Sequence, residues 1–137
     1  MQAQPPRVAT RPYKVVDKVR ESEVVTSFYL APADGLPLAP FRPGQFLTFQ
    51  MPDPVQGGVI RRNYSLSGSP HWSEHYRISV KREAAPHTPT GCAPGLFSAH
   101  LHDVVDIGSE MLARGPEGRF VLEHGEDRPV LLLAGGV

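Results

Sequence analysis

The chain has 137 residues, and 14 Lys and Arg balance 14 Asp and Glu, so its formal net charge at pH 7 is zero. That length suits one domain with a real hydrophobic core, and the charge balance excludes a global pull toward nucleic acid or an anionic membrane. One cysteine, Cys92, excludes an intrachain disulfide, and no apolar run reaches the ~20 residues that span a bilayer.

Fifteen Pro and 13 Gly break the chain too often for long helices and suit short strands joined by turns. Met1–Pro12 is polar and proline-bearing, without the apolar stretch of a secretory signal. It reads as a disordered lead or a linker, and the expected location is the cytoplasm. Tyr13–Glu21 alternates at Tyr13, Val15, Asp17 and Val19, which predicts a half-buried strand. Val24–Ala31 is its expected hairpin partner, and Pro32–Pro43 a turn-rich loop. Further strands are expected over Gly44–Met51, Val59–Ser67 and His75–Glu83, with turns at Asp53–Gly58 and Gly68–Pro70. Ala84–Pro94 is a proline-rich loop that contains Cys92.

Gly95–Val105 carries Leu96, Phe97, Leu101, Val104 and Val105 near 3.6-residue spacing, which predicts the one helix. Met111–Arg114 and Arg119–Glu123 read as two short strands around Gly115–Gly118. Six or seven antiparallel strands with one helix give an all-β class, as a small closed barrel or a sandwich. Pro129–Val137 differs: a continuous apolar run ending in Gly135-Gly136-Val137 reads as a buried parallel strand and glycine turn. Such a strand opens an α/β nucleotide fold. The expectation is a barrel over residues 13–124, the start of a nucleotide domain over 129–137, and a sequence that forms the front part of a longer enzyme.

Arg62-Asn63-Tyr64-Ser65 carries the most chemistry. An arginine offers a planar fork of donors for phosphate. On a strand Arg62 and Tyr64 share a face, and Ser65 can offer its hydroxyl or N–H to a ring nitrogen. Phosphate donor, stacking platform and polar ring contact together suggest a flavin nucleotide. Gly95-Leu96-Phe97-Ser98 at the helix start admits two readings. Free N–H groups and the helix dipole suit an anion there, or Gly95 ends a loop and Ser98 caps the helix. Arg61, Arg77 and Arg82 read as solvated charges on strand edges.

Five runs occur in order: Phe41–Phe49 (Phe-Arg-Pro-Gly-Gln-Phe-Leu-Thr-Phe), Arg62–Ser65, Tyr76–Glu83 (Tyr-Arg-Ile-Ser-Val-Lys-Arg-Glu), Gly95–Leu101 (Gly-x-x-Ser-x-x-Leu) and Gly115–Phe120 (Gly-Pro-x-Gly-x-Phe). Together they resemble the flavin-binding domain of the ferredoxin–NADP reductase superfamily, in the wording of flavohaemoglobin reductase domains. The resemblance covers Tyr13 to Val137. It implies a six-stranded antiparallel Greek-key barrel with one capping helix, holding FAD, with FMN as the alternative.

It also implies roles. Arg62 would pair with the pyrophosphate, with Asn63 beside it. Tyr64 would pack on the flavin and ribityl, and Ser65 would contact N5. Ile78, Val80 and Lys81 would lie beside the ring through backbone groups, and Gly95, Leu96, Phe97 and Ser98 would hold the pyrophosphate. Phe46 stands where many relatives have a tyrosine near the adenine, so a stacking role survives there without a hydroxyl. The tail resembles the first strand of a following NAD(P) domain. The implied activity is that of a reductase component: NAD(P)H donates, and electrons pass through the flavin to a haem, an iron–sulfur cluster or another acceptor. The rival reading is a barrel that binds a flavin or a partner without turnover.

The histidines show no paired spacing backed by a carboxylate, so no metal site is expected. No nucleophile elbow occurs either. Trp72 can lie over a ligand or cover a barrel end.

Overall fold

The computed structural model describes residues 8–83, 95–122 and 127–135. Within them the chain forms β1 (Thr10–Arg20), β2 (Val25–Pro32), β3 (Phe46–Pro52), β4 (Val59–Ser65), β5 (Tyr76–Lys81), α1 (Leu96–Asp103) and β6 (Glu110–Glu117). The six strands form one antiparallel sheet in the order β4-β3-β6-β1-β2-β5. Its two ends meet where Leu66 bridges Ile78 and the Ser67 N–H donates to the Arg77 carbonyl at 2.8 Å. The sheet therefore curls into the expected barrel, closed at one point and parted along the rest of the β4–β5 seam.

Alternation places the core. Tyr13, Val15, Phe28, Leu30, Leu47, Phe49, Tyr76, Ile78 and Val80 are all buried on the inner face. Leu101 and Phe97 of α1 plug one end.

Several boundaries differ from the sequence reading. Thr10, Arg11 and Pro12, expected within the lead Met1–Pro12, pair instead with Arg114, Ala113 and Leu112 of β6, and residues 1–7 lie outside the described residues. Pro12 is tolerated near a strand start, where its missing N–H costs little. The alternation expected through Asp17 and Val19 breaks at a bulge between Val15 and Asp17. The bulge turns Lys18 inward opposite Phe28, and its ammonium reaches the carbonyls of His102 (2.9 Å) and Val105 (2.7 Å) at the end of α1.

The two strands expected at Met111–Arg114 and Arg119–Glu123 are one strand, Glu110–Glu117; Arg119–Leu122 lies outside any strand, and Glu123 outside the described residues. The glycine at 115 makes the continuation feasible. Its φ is +127°, and a Cβ there would stand 2.9 Å from the Phe46 carbonyl oxygen, so the strand hugs β3 through an irregularity in register.

The apolar tail was expected to be a buried strand. Residues 129–135 instead form no strand, and Leu131, Leu132 and Leu133 are more than 80% exposed. A parallel strand takes both its hydrogen bonds and its burial from neighbouring strands, and none among the described residues pairs with it.

Candidate functional site

The parted β4–β5 seam and the start of α1 enclose a groove of about 470 Å³. β4 and the residues after it supply Arg62, Asn63, Tyr64, Ser65 and Ser67. β5 and its exit supply Ser79, Lys81 and Glu83, and the helix start supplies Gly95, Phe97 and Ser98. A volume of several hundred Å³ with a few convergent polar groups suits a small-molecule site.

Arg62 and Tyr64 lie opposite Phe49 and Leu47 of β3, so both project to the inner side of the seam as period two requires. The Tyr64 ring is wedged between Phe49 and Phe97, with centroids 5.9 and 6.0 Å away. Burial raises its phenol pKa above the ordinary value; Arg62 works against that rise and Glu83 adds to it. The ring is therefore a neutral, fixed surface at pH 7. Arg62 is exposed, and its Nη1 donates to the Arg61 carbonyl at 2.7 Å, a bond it can exchange for an anion at little cost. Asn63 faces the other way and accepts a hydrogen bond from the Thr48 hydroxyl at 2.8 Å.

The helix start departs from the capping reading. Gly95 has φ +98°, and a Cβ there would meet the Glu83 carbonyl oxygen at 2.4 Å. Among the described residues no side chain caps α1 through a hydrogen bond. The buried Ser98 hydroxyl accepts from the Glu83 N–H (3.0 Å) and donates to the Gly95 carbonyl (3.1 Å). Its one proton is thus already used, and Ser98 first ties the exit of β5 to the helix. Both residues still line the groove, where the helix dipole favours an anion.

Eight of the twelve expected residues line the groove: Arg62, Asn63, Tyr64, Ser65, Lys81, Gly95, Phe97 and Ser98. Four do not. Ile78 and Val80 are fully buried in the core, and the Val80 carbonyl is bonded to His102 Nε2 at 2.8 Å. Leu96 and the half-buried Phe46 lie outside the lining, the Phe46 ring standing where a side chain at position 118 would otherwise reach. Three lining residues escaped the sequence reading: Ser67, Ser79 and Glu83. Period two could have found Ser79, since Tyr76, Ile78 and Val80 claim the inner parity of β5.

Other expectations resolve nearby. Arg77 and Arg82 are not merely solvated: Arg77 lies 5.6 Å over the Trp72 ring and bonds to Ser67, and Arg82 pairs with Asp103. Trp72 packs on Tyr29 and His75, outside the groove. Among the described residues no three His, Cys, Asp or Glu side chains gather as metal ligands would, and no helix is long and apolar enough to cross a membrane. Cys92, His87 and His124 lie outside the described residues.

A family model for the oxidoreductase FAD-binding domain matches residues 12–122. A flavohemoprotein of Oceanobacillus iheyensis is 43% identical over 127 residues, which is 93% of this chain and 30% of that protein. One from Burkholderia sp. (strain TH2) is 48% identical over 128 residues, 93% of this chain and 29% of that protein. The chain thus spans about a third of the length of the curated relatives it matches. Among solved structures, the flavohem-like FAD/NAD binding domain of nitric oxide dioxygenase from Vibrio cholerae superimposes with a TM-score of 0.72 at 37% identity, covering 87% of this chain and 48% of that one. Phthalate dioxygenase reductase, a modular structure for electron transfer from pyridine nucleotides to [2Fe-2S], does so at 0.67 and 28%, covering 84% and 32%.

Proposed function

Because the chain belongs to the oxidoreductase FAD-binding domain family, we propose that it is the flavin-holding part of a larger reductase. In that protein electrons pass from NADH or NADPH, through FAD, to a haem, an iron–sulfur cluster or another acceptor. The observation that carries this reading is the meeting of Arg62, Lys81 and the α1 start with Tyr64 and Phe97 around one groove. Cationic donors and aromatic surface at that spacing fit a molecule with a diphosphate at one end and a flat ring at the other.

Bound there, FAD supplies the hydride- and electron-accepting chemistry that protein side chains lack. The chain's residues bind and orient. Arg62 offers a bidentate fork to phosphate oxygens, and Lys81 adds a second cation across the seam. Gly95, Leu96, Phe97 and Ser98 bring the positive end of the helix dipole to the same phosphates. Tyr64, held by Phe49 and Phe97, gives the ring or ribityl a firm face. Asn63, tied to Thr48 on the other face, would hold β4 in place between Arg62 and Tyr64, and Ser65 would reach a ring nitrogen. Ile78 and Val80 take part only through the backbone of β5, and Phe46 stacks toward the adenine. The tail from Pro129 we assign to the first strand of a following NAD(P) domain, which would supply the partners its exposed leucines lack. A cytoplasmic setting fits a user of NAD(P)H.

Titration of the chain with FAD, followed by flavin fluorescence and the visible spectrum, tests the reading. We expect binding, and an Arg62→Ala loss of about 1.5–3 kcal/mol, the worth of a hydrogen bond to a charged group. Equal affinity in Arg62→Ala removes the phosphate role. Folded protein that ignores both FAD and FMN removes the reading itself.

A further inference from the structure

Charge and aromatic surface explain how the groove would hold a diphosphate and a ring face, but not what meets the ring's polar edge. Three hydroxyls lie in a row at the groove. Arg77 Nε is 3.2 Å from Ser67 Oγ, Ser67 Oγ is 3.0 Å from Ser79 Oγ, and Ser79 Oγ is 2.9 Å from Ser27 Oγ. Ser67 and Ser79 are exposed and line the groove, whereas Ser27 is 1% exposed behind them on β2.

Proton counting orients the row. Each hydroxyl has one proton and two lone pairs, and a guanidinium only donates. Arg77, held over Trp72, makes the Ser67 oxygen an acceptor. The Ser67 proton has two acceptors in reach, the Arg77 carbonyl at 3.3 Å and Ser79 Oγ at 3.0 Å, and the shorter contact assigns it to Ser79. At the other end, buried Ser27 has Ser79 as its side-chain partner, and an unused buried donor is costly, so Ser27 also donates to Ser79. In that arrangement both lone pairs of Ser79 accept, and its own proton is left for the groove.

We propose that Ser79 is a dedicated hydrogen-bond donor to an acceptor on the flavin ring edge, a carbonyl oxygen or unprotonated ring nitrogen, with Ser67, Ser27 and Arg77 as the residues that position it. This rests on the flavin reading above. The row is not a proton wire, because one end is a permanently protonated guanidinium and the other a buried hydroxyl. A fixed donor stabilises negative charge that builds on its acceptor, so it favours the reduced ring.

The test uses the 137-residue chain loaded with FAD or FMN. Ser79→Ala is expected to weaken both flavins alike, by roughly three- to tenfold, and to shift the bound flavin's reduction potential to a more negative value. Ser79→Thr, which keeps the hydroxyl, restores both, and Arg77→Ala gives a smaller shift in the same direction. Circular dichroism melts confirm folding, and Ser67→Ala provides a second route to the same change. Wild-type affinity and potential in Ser79→Ala overturn the proposal, as does a loss confined to FAD, which would place Ser79 at the adenine. A wild-type chain that binds neither flavin overturns the parent reading instead.

Discussion

At the scale of single residues, the groove depends on positions where no other side chain fits. Gly95 is the sharpest case, with a left-handed φ of +98° and the Glu83 carbonyl oxygen 2.4 Å from where a Cβ would stand. Gly95→Ala must strain the backbone or push the exit of β5 from the helix, a cost of about 1–3 kcal/mol. Urea unfolding should show that loss together with weaker flavin binding, since the Ser98 hydroxyl bridges the same two segments. Wild-type values for both would show the contact to be slack. The Arg62–Tyr64 pair was legible from sequence because strand parity alone puts both on one side. Ser79 was not picked out, although the same rule places it opposite Ile78 and Val80. Its significance comes from Ser27, 52 positions away in sequence and only 2.9 Å away in space.

At the scale of elements, the link between β1 and α1 is the clearest case of sequence and fold diverging. Strict alternation would carry Asp17 and Val19 inward, but the bulge before Asp17 changes the parity and sends Lys18 to the His102 carbonyl in the last turn of α1 and the Val105 carbonyl just past it. Those carbonyls have no partner inside a helix and carry its negative pole. Lys18→Met keeps the apolar stem and removes both bonds. It should destabilise the domain by about 1–2 kcal/mol and speed amide exchange in α1 before that of β3 or β6. Unchanged α1 protection would show the helix end to be held by Leu101 and Phe97 packing alone. The single β6 has a similar origin: a Gly-Pro pair reads as a stop, yet β3 alongside lets the strand run on to Glu117.

At the scale of the whole molecule, three tyrosines tie stability to pH. Burial raises the phenols of Tyr13, Tyr64 and Tyr76 above their ordinary value, Tyr76 furthest, with Tyr13 adding to its rise. A raised pKa in the folded state means stability is full below the unfolded value of about 10 and is lost as pH rises from there through the folded values. Melting temperature should therefore fall above pH ~10. Tyr13→Phe should reduce that fall. It should also stabilise the fold at pH 7 by about 1 kcal/mol, because the buried Tyr13 hydroxyl has no hydrogen-bond partner among the described residues. A destabilised Tyr13→Phe would reveal a partner for that hydroxyl. The acid limb has the opposite sign. Arg11 holds the Asp34 carboxyl down to about 2, so their link persists at neutral pH and is lost as pH falls from about 4 toward 2.

The sequence by itself determined the class, the strands from β1 to β5, the helix α1 and most of the motif residues that line the groove. Each of these follows from local rules, namely the period of the apolar residues, the turn formers and the donors a phosphate needs. Tertiary structure decided the bulge, the continuation of β6, the exposure of the tail and the meeting of Ser67, Ser79 and Ser27. Those outcomes depend on which strand lies alongside, and strand neighbours are chosen by packing between segments far apart in the chain.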